Sequence, residues 1–117
     1  TAVITGRTSK IVENRMSALN VSNIIQGQED KLPALLSLLE SKGLNSNEIA
    51  YIGDDIPDLA PILYVGLGIA TADAHPAILK QANHITYTRG GFGAVREVCD
   101  LIMQAQNTLD KATGASI

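Results

Sequence analysis

Three carboxylates follow directly after one of the apolar segments of this chain. Residues 49–52 are apolar, and the sequence continues with Gly53, Asp54 and Asp55, and then with Asp58. An unpaired carboxylate at the end of a buried strand is costly, and Mg²⁺ typically binds one or two carboxylates together with waters and phosphate oxygens. We therefore predict that Asp54 binds Mg²⁺ directly. Asp55 and Asp58 are predicted not to bind the ion themselves but to support the groups that do. The alternative is local: Asp55 caps the helix that follows, and Asp58 complements the dipole of its first turn.

A lysine stands at the predicted start of a helix. Lys31 precedes leucines at positions 32, 35, 36 and 39, which repeat at helical spacing. A cation in the first turn opposes the helix dipole and is mildly unfavourable there, so this position indicates a functional role. We predict that Lys31 neutralises the charge of a transferring phosphoryl group. A solvated surface lysine is the alternative.

Thr5, Gly6 and Arg7 form a short polar motif after the first apolar segment. As a binding site, Thr5, Gly6 and nearby amides would hold phosphate oxygens at the start of the next helix, and the Arg7 guanidinium would bind an anionic substrate. Arg15, two helical turns further on, falls near the same face as Arg7 and is a second candidate for substrate binding. The alternatives are an ordinary turn in which Gly6 relieves backbone strain, and a surface salt bridge for Arg15.

Short apolar segments alternate with helical patterns along the whole sequence. Strands are predicted over residues 2–4, 23–25, 49–52, 65–70 and 84–87. A last helix is predicted with Val95, Val98 and Ile102 facing inward and with Arg96 and Glu97 facing outward. This alternation predicts an α/β protein, with a Rossmann-like parallel sheet that is covered by helices on both faces.

The three polar motifs share one position relative to this predicted sheet. Thr5 follows the first strand, Lys31 comes after the second, and Asp54 follows the third. Ligands of such folds bind beyond the carboxyl ends of the strands, so we expect these side chains to converge there. The loop of residues 89–93 is predicted to be a hinge, with backbone amides that approach a ligand as the alternative.

Composition excludes several classes of function. The net charge is −3 and basic residues do not cluster, so nucleic acid is not an expected partner. No apolar run approaches the roughly 20 residues that a membrane-spanning helix needs, so no membrane partner is expected. The single cysteine, Cys99, cannot form an internal disulfide, which favours a cytoplasmic location.

The set of motifs resembles the haloacid dehalogenase superfamily of phosphohydrolases. The resemblance rests on residues 4–7, on the helix-opening Lys31 and on the acidic residues 53–58. Within the superfamily, residues 50–58, 72–76 and 90–101 are similar to phosphatases of 3-deoxy-D-manno-octulosonate 8-phosphate (KDO 8-phosphate), which serve bacterial lipopolysaccharide synthesis. The resemblance covers essentially the whole chain. It implies the same fold, Mg²⁺ as the cofactor, and hydrolysis of a small sugar-acid phosphate.

The resemblance also implies roles for individual residues. Thr5 and Lys31 correspond to the catalytic phosphate-binding residues of the second and third motifs, and Asp54 corresponds to the Mg²⁺ ligand of the fourth. Arg7 and Arg15 fall where family members contact the sugar-acid phosphate. The attacking carboxylate of the superfamily belongs to an Asp-x-Asp pair at the end of a central strand. No Asp-x-Asp occurs in this sequence.

By the same resemblance, a central strand is expected to be missing from this chain. That strand lies between the strands predicted over residues 2–4 and 49–52. The sheet should therefore divide into a two-stranded and a three-stranded piece with unpaired edges. We expect residues 1–117 to be the carboxyl-terminal portion of one phosphatase domain, with residues 107–117 as a flexible tail. The expected partner is the amino-terminal segment of the same protein, and this chain alone is expected to be inactive.

The resemblance further implies a homotetramer of subunits without a cap domain. Two alternatives stay open. One is a catalytically inactive domain of the same fold that serves oligomerisation. The other is a phosphatase of the same fold that acts on a different sugar phosphate.

Overall fold

The computed structural model describes residues 1–6, 8, 10–28, 30–91 and 93–106, without the side chain of Val12. Over these residues, five strands alternate with five α-helices, which confirms the predicted α/β class. The predicted binding residue Arg7 and the predicted flexible tail lie outside the described residues. The elements are β1 (Ala2–Ile4), α1 (Lys10–Ala18), β2 (Asn23–Ile25), α2 (Lys31–Lys42), β3 (Ala50–Gly53), α3 (Leu59–Tyr64), β4 (Leu67–Ala70), α4 (Pro76–Gln81), β5 (His84–Ile85) and α5 (Ala94–Ala105).

The strand predictions hold for β1 and β2 and differ by two residues at β4 and at β5. Strand β4 begins at Leu67 rather than at residue 65. The reason is that the Val65 N–H still donates to the Pro61 carbonyl, at 3.1 Å, and so closes the last turn of α3. Residue 65 therefore belongs to the end of a helix.

The end of β5 is fixed by a carboxylate as well as by the neighbouring strand, where the Thr86 N–H donates to the Ala70 carbonyl of β4 at 2.9 Å. Glu97 accepts hydrogen bonds from the Tyr87 N–H at 2.9 Å and from the Thr88 N–H at 3.0 Å. The hydrogen bond from the Tyr87 N–H is the largest of the effects that hold the pKa of the Glu97 carboxyl below its usual range. Glu97 thus binds the loop after β5 from the outward-facing side predicted for it, whereas the predicted inward placement of Val95 is wrong, because Val95 is 43% exposed. The strand ends at Ile85 and not at residue 87, and the N–H groups of Tyr87 and Thr88 donate to a side chain instead of to a strand.

The five strands form two separate parallel sheets, as the sequence analysis predicts. β1 pairs with β2, while β3, β4 and β5 form a second sheet in that order. Within the described residues, β1 and β3 each pair along one edge only. The carboxyl ends of all paired strands point the same way within each sheet, because every pairing is parallel.

One helix packs against both sheets. Leu35 and Leu39 of α2 form a buried cluster with Val65, and Ile4 from β1 and Tyr51 from β3 pack against this cluster. Apolar burial is non-directional and favourable, so a single helix can hold two sheets that share no strand. α2 therefore sets the spacing between β1 and β3.

A second cluster packs α3 and α4 onto β4. Its buried members are Ile62, Ala70, Ala74 and Ile78, and Tyr51 packs against it as well. Tyr51 thus contacts both clusters, which places its ring between the two halves of the core.

The longest helices in this part of the chain are α2 and α5, each with 12 residues. α2 begins at Lys31, as predicted. It ends at Gly43, whose φ of 65° lies in the left-handed region that favours glycine. None of the helices in the described ranges is long and apolar enough to cross a membrane.

Candidate active site

The carboxylate of Asp58 accepts four hydrogen bonds near the carboxyl end of β3. Its Oδ1 accepts from the Lys31 ammonium at 3.0 Å and from the Tyr51 hydroxyl at 2.7 Å. Its Oδ2 accepts from the backbone N–H groups of Asp54 at 3.0 Å and of Asp55 at 3.2 Å. Asp58 is only 3% exposed, and four donors match the lone pairs of an ionised carboxylate. This one side chain joins Lys31 to the loop that carries Asp54.

Lys31 and Asp58 form a largely buried ion pair. Burial acts to raise the pKa of the Asp58 carboxyl, but the hydrogen bonds from Tyr51 and Lys31 outweigh it and lower that pKa. The Lys31 side chain is 16% exposed, so the interpretation as a solvated surface lysine does not apply. The negative charge of Asp58 also compensates a cation that would otherwise oppose the dipole of α2.

Glycine at position 53 makes room for this carboxylate. A Cβ atom added to Gly53 would lie 2.4 Å from both Cβ and Cγ of Asp58, and 2.7 Å from its Oδ2. Such distances are far inside van der Waals contact. Asp58 can therefore lie beneath the end of β3 only because residue 53 has no side chain.

Tyr51 is a site residue that the sequence patterns do not reveal, because they show it only as part of an apolar segment. Tyr51 and Gly53 are two residues apart on β3 and so face the same side of the sheet. Burial, followed by the hydrogen bond to Asp58, raises the pKa of Tyr51 well above its usual value of 10.0. The sequence signal that could reveal Tyr51 is its period-two spacing with Gly53. This spacing places a hydroxyl and a position without a side chain on the same face of β3, directly before the acidic residues.

Asp54 and Asp55 lie side by side in different surroundings. The Asp55 carboxylate accepts from the Ile56 N–H at 2.8 Å and caps the following 3-10 turn, which is the local role considered for it. Asp54 is exposed, and its carbonyl accepts from the His75 N–H at 2.8 Å, so its backbone is fixed on both sides. Within the described residues its carboxylate accepts no hydrogen bond. Asp54 is therefore the carboxylate that remains available to a cation at this edge.

Thr5 lies at the carboxyl end of β1 and is tied to the next loop. Its N–H donates to the Ile25 carbonyl at 2.9 Å, and its own carbonyl accepts from the Gln28 N–H at 3.1 Å. Gln28 stands three residues before Lys31, so Thr5 is bonded to the segment that leads into α2. Gly6 follows at the exposed edge.

The predicted binding residues are thus brought together to different degrees. Lys31 and Asp54 are joined through Asp58, and Thr5 is joined to the segment before Lys31. Arg15 is exposed in the last turn of α1. Contacts among the described residues do not join Arg15 to the other candidates, so its predicted role rests on the sequence alone.

The described residues fit part of a magnesium site. They contain no group of three or more His, Cys, Asp or Glu side chains that could hold a metal by themselves. Asp54 offers one exposed carboxylate, whereas both oxygens of Asp58 already accept hydrogen bonds. Since Mg²⁺ often binds one or two carboxylates and completes its shell with waters and phosphate, Asp54 suits it as one ligand.

The chain belongs to the haloacid dehalogenase-like hydrolase family. The family model matches residues 3–97, a range that contains Thr5, Lys31, Asp54 and Asp58. The resemblance drawn from the motifs is thereby confirmed.

Among individual relatives, one kind of phosphatase recurs. The chain is 49% identical over 116 residues to the 3-deoxy-D-manno-octulosonate 8-phosphate phosphatase of Yersinia pestis, a match that covers 99% of this chain and 62% of that protein. It is 47% identical to the phosphatase of the same name from Escherichia coli K12, with the same coverage. The chain therefore spans less than two thirds of the length of these relatives.

Solved structures give the same picture and confirm the Rossmann-like fold. The Yersinia pestis phosphatase superposes with a TM-score of 0.95 at 49% identity, covering 99% of this chain and 63% of that one. The phosphatase of Moraxella catarrhalis, solved in complex with a magnesium ion, a phosphate ion and a KDO molecule, superposes with a TM-score of 0.92 at 46% identity. That match covers 94% of this chain and 63% of the other.

The close approach of Asp58 to Gly53 predicts that a methyl group at position 53 destabilises the protein. Gly53→Ala should lower the free energy of unfolding by about 2 kcal/mol, because the added atom overlaps the Asp58 side chain. Urea unfolding would measure the loss. Gly90→Ala is the matched control, since its Cβ would meet its nearest neighbour at an ordinary 3.6 Å. Equal stability of the two variants would contradict this account.

The raised pKa of Tyr51 predicts that its hydroxyl keeps its proton at alkaline pH as long as the protein is folded. At alkaline pH the unfolded chain loses this proton first, so the contribution of Tyr51 to stability is complete below pH 10.0 and declines above it. Tyrosinate absorbance in the near ultraviolet would measure ionisation. The folded protein and its Tyr51→Phe variant should show the same number of tyrosinates until they unfold. An additional ionising tyrosine in the folded parent would contradict the assignment.

Proposed function

We propose that this chain is the carboxyl-terminal part of a Mg²⁺-dependent phosphatase that hydrolyses KDO 8-phosphate to KDO and phosphate. The observation that carries the proposal is the hydrogen bonding around Asp58, which places the Lys31 ammonium beside the loop of Asp54. An adjacent cation and available carboxylate suit a phosphoryl group, whose charge is then met by the lysine and a metal ion together. The choice of substrate is supported by relatives that bear this name at 46–49% identity.

Each candidate residue has a role in this proposal. Thr5 and Gly6 hold phosphate oxygens at the end of β1. Lys31 neutralises charge that develops on the phosphoryl group as it is transferred, and it is held in place before substrate arrives. Arg7 and Arg15 bind the sugar-acid part of the substrate, as the family resemblance implies.

Asp54 is the residue that would hold Mg²⁺. The bound ion would supply charge stabilisation to the phosphoryl oxygens. Asp58 fixes the backbone of residues 54 and 55 through their N–H groups, and Asp55 caps the turn that follows. Both therefore support the position of Asp54 without offering oxygens to the ion.

We further propose that the amino-terminal segment of the same protein supplies the attacking carboxylate and one more strand. The sequence has no Asp-x-Asp pair. Within the described residues, β1 and β3 each have one unpaired edge, and α2 packs against both strands. A strand placed between them would satisfy the backbone groups of both edges. Without the attacking carboxylate the covalent route is absent, so this chain alone has no turnover.

The assembly is proposed to be a cytoplasmic homotetramer of the complete protein, meaning this chain together with its amino-terminal segment.

Two alternative functions remain. An inactive oligomerisation domain of this fold is favoured by the lack of a nucleophile in the chain, but it gives no reason for an exposed Asp54 beside a paired Lys31. A phosphatase for another sugar phosphate would use the same residues.

The complete protein should release phosphate from KDO 8-phosphate when Mg²⁺ is present, and the 117-residue chain alone should not. A chimera tests this directly, with the Yersinia pestis phosphatase supplying the segment that precedes the matched region. Phosphate release from a panel of sugar phosphates would be measured. A folded chimera that hydrolyses none of them would favour the inactive domain, and faster turnover of another sugar phosphate would replace the proposed substrate.

Asp54→Asn in the complete protein should lower kcat by about a hundredfold or more, because the ion loses its charged ligand. Mg²⁺ affinity, measured by titration calorimetry, should fall with it. Asp55→Asn is the matched control, since asparagine caps a helical turn as well as aspartate does. Unchanged Mg²⁺ affinity in Asp54→Asn would remove Asp54 from the metal site.

A further inference from the structure

We propose that Tyr51 is a positioning residue of this site, whose hydroxyl fixes the location of the Lys31 ammonium through their shared partner Asp58. The inference rests on the proposed phosphatase function for its catalytic consequence. Its geometric part concerns three side chains of this chain and stands by itself.

The two donors to Asp58 Oδ1 differ in rigidity. Lys31 reaches it at 3.0 Å from the end of a long side chain with four rotatable bonds, whereas Tyr51 reaches it at 2.7 Å from a ring with two. That ring packs against both hydrophobic clusters, so the hydroxyl cannot follow a moving carboxylate. Tyr51 is therefore the anchor, and Lys31 is the group that is positioned.

The other oxygen of Asp58 cannot replace this anchor. Oδ2 is held by the N–H groups of residues 54 and 55, which fix one end of the carboxylate only. If the Tyr51 hydroxyl is removed, Oδ1 retains Lys31 alone, and the carboxylate and the ammonium can move together about the fixed oxygen. Packing does not require the hydroxyl, because phenylalanine would fill the same space in both clusters.

A displaced ammonium has a direct cost in the proposed reaction. Charge stabilisation depends on groups that are already in place when charge develops, and small misplacements lower rates steeply. A hydrogen bond to a charged group is among the stronger ones in proteins.

We expect Tyr51→Phe to lower kcat of the complete protein by about tenfold or more, with KM little changed. Tyr64→Phe is the matched control and should keep parental kinetics, since Tyr64 lies on α3 and is 44% exposed.

A double-variant cycle separates positioning of Lys31 from a general structural effect. Lys31→Met alone should slow turnover by orders of magnitude. If Tyr51 acts through Lys31, adding Tyr51→Phe to Lys31→Met should cause no further loss. A second loss of the same size as in the parent would overturn the proposal, because Tyr51 would then act independently of Lys31.

A labelling measurement tests the geometry without relying on turnover. Trace acetylation followed by peptide mass spectrometry reports the reactivity of each lysine, and Lys10, 76% exposed, is the internal reference. Tyr51→Phe should raise the labelling of Lys31 relative to Lys10 several-fold, and Tyr64→Phe should leave it unchanged. Both variants are compared well below their unfolding temperatures.

The combined outcomes distinguish the two proposals. Equal Lys31 labelling in the parent and in Tyr51→Phe overturns the positioning role, whatever happens to kcat. Faster labelling with unchanged kcat also overturns it, because the ammonium would then move without consequence. If the folded complete protein hydrolyses no sugar phosphate, the proposed function fails, and labelling still decides whether Tyr51 holds Lys31.

Discussion

An ionised carboxylate with almost no access to water must be surrounded by donors, and Asp58 imposes this requirement on the whole structure. Removing such a charge from water costs several kcal/mol unless hydrogen bonds replace the lost hydration. The donors come from different elements: Lys31 opens α2, Tyr51 lies within β3, and the two N–H groups belong to the loop after β3. The position of each element therefore depends on the others through a single side chain.

The same requirement connects the two sheets. α2 is fixed at its first residue by Asp58, which follows β3, and along its length by Leu35 and Leu39, which pack with Ile4 of β1. Thr5 continues directly from β1 and is bonded to the loop before α2. Polar and apolar contacts of one helix thus connect the ends of β1 and β3 to the start of α2, even though no described strand pairs with both.

Much of this arrangement could be predicted from the sequence, because strong local signals agreed with one another. Alternating apolar segments predict the α/β class, the leucine spacing predicts the start of α2 at Lys31, and family motifs predict the division into two sheets. What could not be predicted depends on tertiary contacts. The helical pattern predicts only that Glu97 faces outward, and it does not indicate that this side chain binds backbone N–H groups ten and nine positions earlier in the chain.

Tyr51 illustrates a second kind of contact that the sequence does not predict. Its role depends on where the Asp58 carboxylate turns after the strand, and no single-residue propensity carries that information. The sequence predicts Asp58 either as a support for the metal or as a residue that complements a helix dipole. Neither prediction includes the buried ion pair, because burial of Asp58 depends on the missing side chain at Gly53.

The carboxylate of Glu97 has a consequence for how the three-stranded sheet can grow. Exposed strand edges recruit further strands, including those of other molecules, and are a common origin of aggregation. The N–H groups of Tyr87 and Thr88, which follow β5, are already taken by Glu97, so this outer margin offers fewer free donors to an intruding chain. Recruitment is thereby biased towards the opposite margin, at β3, next to the residues proposed for chemistry.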